Sequence, residues 1–174
     1  MKFLIQNTVE ILERTPNALH SLLYNVNDHW TLNNEGGETW SPYDVIGHLI
    51  HCDEYNWLPR IEIILSGSSV KKFEALDRFA QIEKSNGKNT DQLLDEFVKV
   101  RLSSIAKLKS LNISEEQLSK TALHPDLGTV NLSQLISTWV VHDLDHISQI
   151  SRVMAKQYKD EVGPWIQYMR VLKQ

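Results

Sequence analysis

The sequence predicts an all-α fold: an antiparallel four-helix bundle with long connections and short additional helices. Two observations carry this. Apolar side chains recur at helical spacing along four long stretches, and no convincing hairpin signal interrupts them. Two extended connections separate those stretches, which suits a bundle with crossover links. The 174 residues read as a single domain over 1–174, long enough to bury a substantial core.

Residues 2–14 place Phe3, Leu4, Ile5, Val9, Ile11 and Leu12 at helical spacing. Thr15-Pro16 reads as a fresh N-cap with proline at the first helical position, so the first helix restarts there and runs to Asn25. Residues 26–40 are polar, contain Gly36-Gly37 and read as a loop. Ser41-Pro42-Tyr43-Asp44 then opens a second helix. Serine caps, proline needs no donor partner, and Asp44 suits the positive end of the dipole. That helix extends to Ser66, with a bend expected at Pro59. Residues 67–89 lack strong periodicity apart from a short helix near 73–84. The third helix spans Thr90 to Asn112, with Leu93, Leu94, Phe97, Val100, Ile105 and Leu108 on its apolar face. Ser114 and Gln117 form a capping box for one turn. His124 to Gly128 is a loop, and Val130 is too isolated to make a strand. Asn131 with Gln134 caps a fourth helix that continues to Tyr158, and Gly163-Pro164 starts a short terminal helix over Trp165 to Leu172.

Composition narrows the chemistry. With 22 acidic and 18 basic side chains the formal charge is −4, which argues against nucleic acid as a partner. No apolar run approaches the roughly 18–20 residues that span a bilayer, so no membrane role is expected. The start, Met1 to Asn7, turns polar before a signal-peptide core could form, and the expected location is the cytoplasm. One cysteine excludes an internal disulfide, a Cys-based zinc finger and an iron–sulfur cluster. Seven histidines make imidazole the chemistry to follow.

In the fourth helix, His142 and His146 are four residues apart and so point about 40° apart, within the sector of Leu135, Trp139 and Val153. Two readings stand: ligands converging on a divalent cation, or core-edge histidines hydrogen-bonded to other helices. The second helix offers a third imidazole. His48 lies at the edge of its apolar arc, whereas His51 turns toward Glu54 and Glu62 and is expected to meet solvent. Cys52, one turn beyond His48, could be a fourth ligand or a small buried core residue. His20, His29 and His124 are assigned to the surface.

Trp40-Ser41-Pro42-Tyr43-Asp44-Val45-Ile46-Gly47-His48-Leu49 and His142-Asp143-Leu144-Asp145-His146-Ile147-Ser148-Gln149-Ile150 resemble the two signature regions of the DinB-like superfamily. The resemblance covers nearly the whole chain, from Thr15-Pro16 to Trp165. It implies a four-helix bundle in which His48, His142 and His146 bind a divalent metal, zinc or nickel. Many relatives carry a further histidine directly before the last ligand, where this chain has Asp145.

Asp143 falls in the apolar arc of the fourth helix, where a carboxylate needs a partner. A histidine N–H near the metal, an arginine, or a purely structural pairing would each serve. Asn56 and Arg60 sit one turn apart in the apolar arc of the second helix. They suggest a polar lining in which Arg60 clamps a substrate carboxylate or phosphate, or else pairs with Asp53 or Asp143. Trp57 and Trp139 could wall the cavity or simply fill the core.

Three imidazoles leave a coordination position open, the arrangement of catalytic metal sites. By resemblance, the expected function is a metal-dependent enzyme on small molecules, either a hydrolase or a thiol-dependent S-transferase using a low-molecular-weight thiol. The alternative is a stress-associated binding or scaffold protein with a structural metal, motivated by the lack of an evident nucleophile or general base. Relatives are often homodimers. The apolar face formed by Val45, Ile46, Leu49, Ile50, Trp57, Ile61 and Ile64 suits a homodimer here as well.

Overall fold

Proline decides where the first helix breaks. A computed structural model describes residues 3–173, so Lys2, where the predicted N-terminal helix begins, lies outside it. The N-terminal stretch forms α1 (Ile5–Leu12) and α2 (Thr15–Leu23). Thr15 is no cap: it lies inside α2 and its hydroxyl donates back to the Ile11 carbonyl at 3.2 Å. Pro16 brings no N–H to the Leu12 carbonyl one turn earlier, which is left to bond elsewhere. The stretch read as a loop holds one short helix, α3 (Asp28–Leu32), where the Asn27 side chain accepts from His29 N at 2.9 Å.

The second long helix comes in two parts, α4 (Pro42–Cys52) and α5 (Leu58–Leu65), joined by a π-helical turn over Asp53–Trp57. The expected disturbance at Pro59 is this wide turn. Without an N–H at Pro59 the regular ladder cannot close, and the turn buries Asp53, Asn56 and Trp57 together. A short α6 (Ala80–Ser85) lies on α4, covering less than the predicted 73–84. Gly47 admits it, since a Cβ there would stand 2.5 Å from Ser85 Oγ. The third long helix is α7 (Thr90–Ser110) and the fourth α8 (Leu132–Lys156). Both open with capping boxes, Asn89 with Gln92 and Asn131 with Gln134, as α4 does with Ser41 and Asp44. The terminal segment is a 3₁₀ turn over Gly163–Tyr168 rather than an α-helix.

A hairpin corrects the reading of residues 121–131. Strands β1 (Thr121–His124) and β2 (Gly128–Asn131) pair antiparallel across a three-residue loop, with Gly128 at φ 72°. That is the arrangement in which a left-handed glycine closes a three-residue connection. Only Ala122 is buried, so the strands carry almost no alternating pattern of their own. Backbone bonds from outside hold them: Phe73 N to Leu123 O at 2.9 Å and Leu123 N to Lys71 O at 2.8 Å.

The core has two apolar clusters. One gathers Leu12, Trp57, Ile61, Ile105, Ile136 and Trp139, the other Leu19, Val45, Leu49, Leu94, Phe97 and Ile150. Each long helix therefore passes from one cluster to the other, and the buried polar residues His48, Asp53, Arg101, Asp143 and His146 fall at that crossing. The apolar face of α4 and α5 that suggested a dimer is buried within the chain and offers no surface to a second copy. No helix among the described residues is long and apolar enough to cross a membrane.

Candidate metal centre

α4 and α8 bring three imidazoles together. His142 Nε2 lies 3.2 Å from His48 Nε2 and 3.2 Å from His146 Nε2. A tetrahedral ion with nitrogen ligands at about 2.0–2.1 Å requires its donors roughly 3.3 Å apart, so the spacing fits a divalent cation. A hydrogen bond between two rings would need the proton on one of the facing Nε2 atoms, whereas neutral rings protonated on Nδ1 turn their Nε2 lone pairs toward a cation. Burial, then the neighbouring His146, pushes His48 down to about 3. Burial and the other two rings push His142 to about 2, and burial lowers His146 as well. Gln149 Oε1 lies 2.8 Å from His146 Nδ1 and accepts its proton, which leaves the Nε2 lone pair free for a cation. No sequence argument singled out Gln149. Its place three residues after His146 on the same helix was the available signal.

The trio also sets a pH dependence for the metal-free protein. Unfolded, these histidines titrate near 6.5; folded, His48 and His142 resist protonation until about pH 3 and 2. Between those limits the unfolded chain binds more protons. Stability is therefore fully present above pH 6.5 and is lost as pH falls through that window. Each histidine contributes a slope of about 1.4 kcal/mol per pH unit near mid-window. Urea unfolding in chelator at a series of pH values should show a shallower acid loss in a His48→Gln/His142→Gln variant. Parallel curves would mean that the native trio is not held neutral.

Aromatic rings enclose the cluster. Trp40 stands 4.7 Å from His48 and 6.5 Å from His146, and Trp57 meets His142 edge-on at 5.1 Å. Trp57 also stacks on Trp139 at 5.8 Å, so Trp57 both walls the site and fills the core, while Trp139 is wholly buried. Cys52 Sγ lies 3.4 Å from His48 Nε2 and 4.0 Å from His142 Nε2, and burial pushes its thiol up to about 12. His51 does not meet solvent as expected. It is 5% exposed and its ring lies tilted 5.0 Å from that of Tyr55, outside the cluster, because α6 covers that side of α4.

Asp143 takes the arginine option. Its carboxylate accepts from Arg101 Nη1 and, at 3.0 Å, from Nη2. Arg101 also donates to Asp53, from Nε at 2.6 Å and Nη2 at 3.0 Å, and to the Leu12 carbonyl at 3.2 Å. That carbonyl is the one Pro16 left free. Although burial works against its charge, Asp53 and Asp143 hold the guanidinium above its ordinary value. One side chain thus ties α7 to α1, the π turn and α8, one residue away from His142. Arg101 was missed in the sequence, yet it stands between Phe97 and Ile105 in the middle of an apolar stripe, which was the sign to follow.

Arg60 therefore pairs with neither Asp53 nor Asp143. It lines a cavity of about 400 Å³ beside the histidines, with His48, Cys52, Asn56, His142 and His146. His124, assigned to the surface by sequence, lines it too, because the hairpin carries it there. Asp145 is exposed at the rim, whereas His20 and His29 stay away from the cluster.

A family model for the DinB superfamily matches residues 11–150. The chain belongs to the DinB superfamily. No curated protein matches it. Among solved structures, YfiT from Bacillus subtilis aligns with this DinB-superfamily chain at a TM-score of 0.68. The two share 16% identity over 88% of this chain and 87% of that one. YfiT is described as a probable metal-dependent hydrolase with an unusual four-helix bundle topology. At that identity the likeness establishes the shared bundle.

Proposed function

We propose that the chain is a metal-dependent enzyme acting on small molecules, either as a hydrolase or as a thiol-dependent S-transferase. One observation carries this: three neutral imidazoles converge, with His142 Nε2 3.2 Å from each of the other two, on the wall of a cavity of about 400 Å³, which suits a small molecule. His48, His142 and His146 would hold the ion, zinc or nickel. A divalent ion there supplies Lewis-acid chemistry, acidifying a water or thiol and polarising an electrophile. The chain's own residues do the rest. Gln149 orients His146, Trp40 and Trp57 limit water, and Asn56 and Arg60 line the approach. YfiT's description as a probable metal-dependent hydrolase supports the hydrolytic form.

A structural metal in a non-catalytic protein would need a closed set of ligands, for which Cys52 is the nearest sulfur. Cobalt substitution separates the two readings. The expected spectrum lacks sulfur-to-cobalt charge transfer, and the zinc- or nickel-loaded protein hydrolyses activated esters or joins a thiol to an electrophile. Metal-free protein that turns over as fast as loaded protein, or a strong charge-transfer band lost in Cys52→Ser, would sink the proposal.

A further inference from the structure

Away from the three imidazoles, the same cavity holds a pair of donors facing each other with no acceptor between them. His124 Nδ1 accepts two backbone N–H groups, from Asp126 at 3.1 Å and from Leu127 at 3.3 Å. Both donors require that nitrogen to carry a lone pair, so neutral His124 holds its proton on Nε2. Nε2 in turn lies 3.3 Å from Arg60 Nη1, which has only protons to offer. Two N–H groups therefore converge. Arg60 is otherwise held in place, with Nη2 donating to the Glu74 carbonyl at 3.1 Å and the guanidinium 5.0 Å from the Phe73 ring centre. Among the described residues no carboxylate forms an ion pair with it, and it is only half-exposed. A fixed, partly desolvated cation beside a second donor is an unfilled position for an anionic oxygen.

We infer that Arg60 and His124 form an anion-recognition subsite that binds a carboxylate or phosphate group of the substrate. This names the substrate class for the proposed enzyme and rests on that reading for the word substrate. Two further features shape the ligand. Asn56 lines the same cavity, and its buried Oδ1 accepts no hydrogen bond from the protein. His48 and Cys52 on α4, Asn56 in the π turn and Arg60 on α5 succeed one another every four residues. At about 1.5 Å per residue in the α-helical parts and less through the π turn, Arg60 starts at most about 18 Å along the axis from His48, and its side chain leans back toward the helix N-terminus. The ligand is thus elongated, with its anionic group at the Arg60 end and its reacting group at the histidines. Sequence reading treated His124 as a surface residue because nothing marked the hairpin that delivers it.

Anion binding here does not require the metal, and the test uses that independence. Metal-free protein is titrated with inorganic phosphate and, separately, with glutarate, while the side-chain resonances of His124 and Arg60 are followed by ¹H–¹⁵N NMR. A saturable shift of His124 Hε2 is expected with at least one probe, and the stronger response tells phosphate from carboxylate. Arg60→Gln and His124→Ala should each weaken that binding about tenfold or more. Two variants on different elements keep the result readable if one misfolds. Absence of a saturable shift with both probes, or undiminished binding in folded Arg60→Gln, overturns the subsite. Zinc and nickel uptake are measured on the same samples. Metal binding without anion binding rejects this inference alone, and anion binding with uptake of neither zinc nor nickel rejects the metal-enzyme reading alone.

Discussion

His142→Ala should reduce metal uptake from about one zinc or nickel ion per chain to background, the largest effect expected of any single substitution. His142 Nε2 is the nitrogen that lies 3.2 Å from both of the others, so its removal leaves His48 and His146 without the ring between them. Losing an outer partner of a metal ligand costs roughly 10–100-fold in affinity, and losing a ligand costs more. The second readout is thermal. Metal at about a hundred times its dissociation constant stabilises the wild type by about 2.7 kcal/mol, and that gain should vanish in the variant. His29→Ala, at an exposed position remote from the cluster, serves as the control and should load normally. A His142→Ala protein that retains stoichiometric metal would remove the three-histidine centre from consideration.

Arg101→Met should destabilise the fold by about 3–5 kcal/mol, a large part of the roughly 5–15 kcal/mol that holds a typical domain together. The guanidinium is fully buried, and so are the carboxylates of Asp53 and Asp143 that it joins. Without Arg101 two acidic groups face each other in the core with no counter-charge. Trp139 Nε1, 3.2 Å from Asp53 Oδ1, is then the remaining side-chain donor among their hydrogen-bond partners. The triple variant Arg101→Met/Asp53→Asn/Asp143→Asn should recover part of the loss, because it removes the unpaired charges as well as the pair. Urea unfolding of metal-free protein measures both. A change below about 1 kcal/mol in Arg101→Met would mean that the network holds the helices together far less than its burial implies.

The network also bears on the metal. Asp53 follows Cys52 and Asp143 follows His142, so the guanidinium fixes the two helices where they carry their imidazoles. The legibility of these parts differed for definite reasons. His142 and His146 share one helix, and their angular separation follows from helical pitch. His48 lies on another helix, and the family resemblance linked it to the pair. Asp143 announced itself as a charge in an apolar arc, but its partner is 42 residues away on α7 and no local pattern could name it. The His51 assignment failed similarly: its face of α4 looks polar in sequence, yet α6 covers it.

The sequence by itself determined the all-helical class, the starting points of three long helices and the facing pair His142 and His146, to which the family resemblance joined His48. These depend on interactions within a few residues: capping boxes, proline positions and the pitch of one helix. Only the tertiary structure decided that a single arginine would join all four bundle helices, and that a hairpin with one buried residue would form. It also brought His124 beside Arg60. Each of these results from contacts between segments far apart in the chain, and their energy comes from burial and pairing that exist only once the helices have packed.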